Sequence, residues 1–306
     1  MTLLIGSLQL GFLYGVMVMG IYISFRILNI PDLTAEGSFT FGLAASAMLT
    51  VQGHYAAALL LALLAGALAG AVTGLLQTKL LIHPVLAGIL TMSGLYSVNM
   101  LLLGGAPNVT LLGKETLFSV VTGLLPAADK EVVRLLLCCV LALACALILT
   151  FFFKTRLGLC IRATGDNEAM VRASSVNVTA TKVIALALSN ALIGLCGGVI
   201  AQYQSFADIN SGTGILVVGL ASVIIGETLV GRRSVTVGLF SAVAGSVIYR
   251  CIIALATKTD FFPAYMLKLL SAVIVGLALA LPAIRQYREK VALKRGNRKE
   301  GAKCSN

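Results

Sequence analysis

The 306-residue chain has no tryptophan, two histidines and few charges, with only 11% of its residues Asp, Glu, Lys or Arg. A soluble domain carries about twice that charged fraction, so an ordinary soluble globule is excluded. His54 and His83 lie far apart, with no paired carboxylates near either, so there is no acid–base constellation for an enzyme. No GxxxxGK[ST] segment occurs, which leaves the chain without a phosphate-binding loop of its own. Period-two alternation over segments of about ten residues is missing too, which excludes a membrane barrel. The seven cysteines form no CxxC pair and read as small buried side chains. The apolar stretch 1–28 lacks a basic start and a small-residue cleavage site, so it is expected to be a retained first helix.

What is present is apolar. Hydrophobic residues make up 58% of the chain and the mean hydropathy is +0.98. Apolar runs approach the roughly 20 residues that a spanning helix needs, and such helices satisfy their own backbone hydrogen bonds in lipid. The expected fold is an all-α integral membrane protein, a polytopic bundle of about nine spans with eight to ten possible. They fall at 3–28, 37–52, 55–78, 84–103, 132–153, 183–203, 214–230, 235–256 and 266–284. The 214–230 stretch is short enough to be a partial span. Residues 1–284 form the membrane domain, and 285–306 a basic tail. Between spans, 104–131 is the one sizeable external loop, with a short interfacial helix expected over 109–125. Pairs of glycines four apart (Gly11/Gly15, Gly66/Gly70, Gly194/Gly198) predict close helix approach.

Basic residues resist translocation and so set orientation. Seventeen Lys and Arg fall on the side of the C-terminus and six on the other. The C-terminus and the 154–182 loop are therefore placed in the cytoplasm, and nine spans put the N-terminus outside. The net charge of +11 is densest between Arg285 and Lys303, directly after the last span. Anionic lipid explains it without a nucleic-acid partner.

The 154–182 loop carries the most information. Its centre reads as a short helix with Asp166 as N-cap. Glu168 in the first turn and Arg172 in the last both have the favourable dipole sign. Ala169, Met170 and Ala173 share one small apolar face. Such a helix either lies on the membrane surface or enters a groove on a partner.

The segment Ala163-Thr-Gly-Asp-Asn-Glu-Ala-Met-Val-Arg-Ala-Ser-Ser-Val-Asn-Val178 resembles the coupling segment of the branched-chain amino acid and ribose type permeases of bacterial ABC importers. Arg162, Ala163, Gly165, Asn167 and Val176 match that pattern, and Ser175 stands where glycine is usual. Asn29 to Gly42 is similar to the segment that follows the first long helix in that family. Gly219 to Arg233, Tyr249-Arg250 and Leu267-Lys268-Leu269 look like the branch of tryptophan/tyrosine transport permeases, although Met266 replaces an expected acidic residue. The resemblance covers most of residues 10–285. It implies a homodimer paired with two cytoplasmic ATPase subunits that hold ATP and magnesium, this chain binding no cofactor or metal itself. It also implies an extracytoplasmic solute-binding protein, a bacterial inner-membrane location, and docking of the helix through Gly165, Asp166, Asn167, Glu168, Ala169, Met170, Arg172, Ala173 and Ser175.

Ionisable groups inside a membrane are costly and prompt functional hypotheses. Asp32 and Glu36 flank the break from Pro31 to Gly37, where a cavity-lining role and an exposed loop are equal readings. Glu227 is read chiefly as the partner of Arg232 and Arg233, with a path contact as the alternative, and Arg250 and Lys268 as snorkelling to the surface. Asn99 and Asn190 sit mid-span, where interhelical bonding is the default and path lining the alternative. The rival to an ATP-driven importer is an ion-gradient transporter, many of which show two interrupted helices in related halves. No second copy of the 29–42 break is evident in the sequence.

Overall fold

The computed structural model describes residues 2–124, 129–231 and 234–258, with positions 272, 273 and 276 beyond them. In chain order the helices are α1 (Thr2–Tyr22), α2 (Ala35–Val51), α3 (Tyr55–Thr78), α4 (Pro84–Leu102), α5 (Leu117–Leu124), α6 (Lys130–Phe152), α7 (Arg156–Asp166), α8 (Glu168–Ala173), α9 (Val178–Gln204), α10 (Ile215–Val230) and α11 (Val235–Lys258). Two three-residue strands, β1 (Asn108–Thr110) and β2 (Phe206–Asp208), pair antiparallel.

Seven segments among the described residues are long and apolar enough to cross a membrane. The stretch expected at 37–52 is α2, whose 17 residues span about 25 Å at the usual helical rise. That is short of the roughly 30 Å hydrocarbon layer. The ninth expected span, 266–284, lies largely outside the described residues.

α1 and α9 form the centre. Leu13, Val16, Met17, Ile21 and Ile193 are all within 1% of full burial. The outer helices turn leucines outward instead, among them Leu60, Leu64 and Leu68 of α3 and Leu136 and Leu147 of α6. A soluble fold would not leave these uncovered, whereas lipid tails cover them at no cost. Between helices the glycine pairs act as expected. A methyl group at Gly66 or Gly70 would overlap the backbone of Asn190 or Leu186 on α9, and one at Gly11 would lie 2.7 Å from the Val247 Cα on α11.

Two interruptions shape the interior. The first follows α1, whose end widens into a π-turn at Ile23–Ile27. Asn29 then adopts φ +54°, and Pro31 bars helical continuation. The chain re-enters the bundle to start α2 opposite the middle of α9. The second lies between α9 and α10: Ser205 takes φ +58°, β2 and a short 3-10 turn (Ile209–Gly212) follow, and Gly214 at φ +82° opens α10. α10 itself has 16 residues, but with the 3-10 turn before it the stretch Ile209–Val230 is long and apolar enough to cross a membrane, so the expected partial span is not what the structure shows.

The second break is a structural counterpart of the first that the sequence does not repeat, which is why it escaped detection. The 104–131 stretch, where a helix was expected over 109–125, instead holds β1 followed by the shorter α5. Its β1 edge is tied to β2, and Gln202 of α9 accepts the Leu117 N–H at 2.9 Å, fixing the start of α5.

Candidate functional site

The N-termini of α2 and α10 meet in the middle of the bundle. Each carries unpaired backbone N–H groups and a partial positive charge, and each is met by an internal carboxylate. Asp32 is 1% exposed and accepts the Thr34 N–H at 2.9 Å at the start of α2. Its second oxygen accepts from the Asn190 side chain of α9 at 2.6 Å. Glu36, in the first turn of α2, reaches across to accept the Gly214 N–H at 3.0 Å, 178 residues away. Behind them Thr34 and Thr73 share a 2.7 Å hydroxyl contact, and Thr73 donates to Thr91 at 2.9 Å.

Beside this meeting point lies a cavity of about 420 Å³, lined by Glu36, Thr40, Met92, Ser93, Tyr96, Asn99 and Thr213 among others. That volume lies within the roughly 300–1,000 Å³ of small-molecule sites. Among the described residues one carboxylate lines it and no Lys, Arg or His does. Asn99 is 1% exposed. Its amide donates weakly to the Gly37 carbonyl at 3.4 Å, while its Oδ1 is buried with no hydrogen-bond partner among the described residues.

The expected path residues therefore divide into three groups. Glu36 and Asn99 share the cavity. Asp32 and Asn190 bond to each other beside it, inside the bundle and not on an exposed loop. Glu227 lies at the far end of α10, where it forms an ion pair with Arg26 after the end of α1; Arg232 and Arg233, its expected partners, lie outside the described residues. Arg250 corrects another expectation. It stays within the bundle, its guanidinium 3.7 Å from the Tyr14 ring centre, because an aromatic face offers it a cation–π contact without leaving the helix bundle. Lys268 lies outside the described residues.

At the opposite end of the interrupted helices the 154–182 loop forms two helices, α7 and α8. Asn167, not Asp166, caps α8. Asn167 is extended (φ −156°, ψ 96°) and its side chain accepts the Met170 N–H at 3.1 Å, whereas Asp166 still belongs to α7. The chain reverses twice within a few residues, so the side chain free to fold back is the one at the break. Glu168 accepts from Lys182 of α9 at 2.6 Å and from Arg172 at 2.9 Å. These contacts hold its carboxyl below the usual range, with the Lys182 hydrogen bond the largest influence.

Ser175 adopts φ +60°. That left-handed geometry explains why a glycine suits this position. Gly165 packs so tightly on the break after α1 that a methyl group there would overlap the Ile27 carbonyl, and its own carbonyl accepts from the Asn29 amide at 3.1 Å. Ala169, Met170 and Ala173 face outward, with Met170 64% exposed, while Val171 anchors the other face at 5%.

A bundle that crosses the membrane several times, with two helices interrupted at a polar cavity in its middle, has the architecture of a membrane transporter. The chain belongs to the branched-chain amino acid transport system permease family, whose model matches residues 3–279. It is 33% identical over 281 residues, 92% of this chain and 91% of the relative, to a tyrosine transport system permease protein of Clostridioides difficile (strain R20291). It is also 33% identical to an uncharacterized protein of Rickettsia prowazekii (strain Madrid E), over 75% of this chain and 78% of that one. A shorter stretch of 85 residues, 28% of this chain and 26% of the relative, is 39% identical to the ribose import permease of Escherichia coli (strain K12). No solved structure matches the chain.

Proposed function

We propose that the chain is the membrane-spanning subunit of an ATP-driven importer that moves an amino acid, aromatic or branched-chain, into the cytoplasm by alternating access. The observation that carries the reading is α8. It is a short capped helix with its small apolar face uncovered, and it is bonded to the two elements that lead to the cavity. Through Glu168 and Lys182 it is fastened to α9. The adjoining Gly165 is fastened to the break that begins α2. A push on α8 would therefore be delivered to Asn190 along α9 and to Asp32 and Glu36 along α2.

In this mechanism two cytoplasmic ATPase subunits, which hold ATP and magnesium, receive the α8 helices of a permease homodimer in grooves. Their closure on ATP moves α8, α9 and the break together. Because Glu36 ties the start of α2 to that of α10 and Asp32 ties it to α9, this motion opens the cavity first to one side and then to the other. An extracytoplasmic binding protein delivers the solute to the end that carries the β1–β2 pair. The transport-system family and the tyrosine relative support both the multicomponent assembly and the substrate class. The chain would reside in the bacterial inner membrane with α7, α8 and the C-terminus in the cytoplasm.

The test is energetic. Uptake of labelled tyrosine or leucine should persist when the proton gradient is collapsed at constant ATP, and should stop when ATP is depleted. The reverse pattern would establish an ion-gradient transporter. Charge reversal at Arg172 should lower uptake while leaving membrane insertion unchanged.

A further inference from the structure

The cavity between α2, α4 and the segment before α10 has a definite chemical bias. Its polar wall combines hydroxyls, from Thr40, Ser93 and Thr213, with the acceptor oxygens of Glu36 and Asn99. Glu36 accepts from the backbone N–H groups of Gly214 and Leu216 at the start of α10, and a carboxylate has about four acceptor sites. The buried Asn99 Oδ1 has no hydrogen-bond partner among the described residues, and a buried acceptor left in that state is costly. No basic side chain lines the cavity among the described residues, and the α10 N-terminus, with its partial positive charge, already faces Glu36. Met92 and Tyr96, on the same face of α4 as Asn99, add an apolar and aromatic surface.

From this geometry we infer that the cavity is a recognition site for a solute that carries an ammonium group on an apolar or aromatic body, with Asn99 Oδ1 and Glu36 receiving the ammonium and Met92 and Tyr96 the body. The inference deepens the importer reading and rests on it for the solute's class. It adds that the permease itself selects by charge. An anionic solute without an ammonium group would meet the Glu36 carboxylate with no basic side chain among the described lining residues, and no positive charge of its own, to offset it. A neutral sugar would leave that charge uncompensated in a site of low dielectric. An ammonium group supplies N–H donors for the orphaned Asn99 oxygen and a positive charge for Glu36 in one step.

The purified full-length permease in lipid nanodiscs tests this by calorimetric titration with four probes: tyrosine, tyramine, 3-(4-hydroxyphenyl)propionate and ribose. Tyrosine and tyramine should bind, and the other two should bind at least about tenfold more weakly. E36Q keeps an oxygen for Gly214, so the α10 start is preserved, and N99S keeps a small polar side chain. Each should weaken tyrosine and tyramine by about tenfold without changing the melting temperature.

The propionate or ribose binding as well as tyramine overturns the inference, and so does failure of both amines to bind. Neither variant affecting the amines also overturns the role given to these residues. The wild-type probe series requires no variant to fold. Because it uses no ATPase, a transporter shown to run on an ion gradient would sink the importer reading while leaving this result to stand or fall alone.

Discussion

Ser175 and Asn167 bracket α8, and each sets a local condition with a measurable size. The left-handed backbone at Ser175 costs a non-glycine residue roughly 1 kcal/mol or more. Glycine would recover that but lose about 0.5 kcal/mol or more through the freedom it adds to the unfolded chain. S175G is therefore expected to stabilise the α8 turn slightly, by about 0.5 kcal/mol, and hydrogen exchange of the α8 amides should slow accordingly. N167A removes the cap and should cost about 1 kcal/mol, speeding exchange of the Met170 amide roughly fivefold. A null effect there would mean that packing of Val171 alone holds the helix.

Glu168 adds a pH dependence. Its folded carboxyl titrates below the ordinary value because Lys182, and then Arg172, favour the charged form. The stabilisation is therefore present above the ordinary carboxylate range and disappears as pH falls through the lowered folded value. Protection of the α8 amides, relative to their intrinsic exchange rates, should fall across that acid window in the wild type. In E168Q they should be uniformly less protected and show no such step.

At the scale of elements, the linkage between α8 and the interrupted helices makes a sharper claim. Gly165 permits direct backbone contact with Ile27, and an alanine there has no room without displacing α7 from the break. G165A is expected to insert and fold as a bundle but to uncouple. Uptake should fall at least about tenfold, while the analogue preference of the cavity in nanodiscs stays unchanged. Loss of both would show a folding defect instead.

The Arg26–Glu227 pair ties the end of α1 to the end of α10. Arg26 is partly exposed and Glu227 nearly buried, so a double-mutant cycle with R26Q and E227Q should give a coupling of about 1 kcal/mol. Additive single effects would make the pair incidental. This pairing, like Glu36 with Gly214, joins residues more than 170 positions apart. Neither is visible in a lone sequence, where Glu227 has two nearer arginines and Gly214 is one glycine among 31.

For the whole molecule, legibility followed the physics that each feature depends on. The spanning helices declared themselves because lipid exposure demands apolar residues all round, and the leucines of α3 and α6 satisfy that demand without reference to any partner. Much of the α8 region was readable for a related reason: capping residues, dipole-matched charges and a small apolar face are local. Even so, the cap fell one residue later than expected, since Asp166 and Asn167 are equally good cappers and only the backbone decides between them.

The mid-bundle site was half legible. Pro31 announced the first break, but the second uses Ser205 and Gly214 at positive φ with no proline to mark it. Asn99 looked like any mid-span amide, and its unbonded oxygen exists only once Gly37 and the cavity are placed beside it.

The account depends on force reaching the cavity through α8, and cysteine cross-linking measures that contact most directly. With a cysteine in place of Met170, whose side chain points away from the bundle, membranes from the native host should yield a single cross-linked product. That product should contain this chain and a P-loop ATPase, with a yield that changes when ATP is added. A Met170 position that labels freely with water-soluble reagents, or links only to lipid, in membranes actively importing the solute would contradict the account.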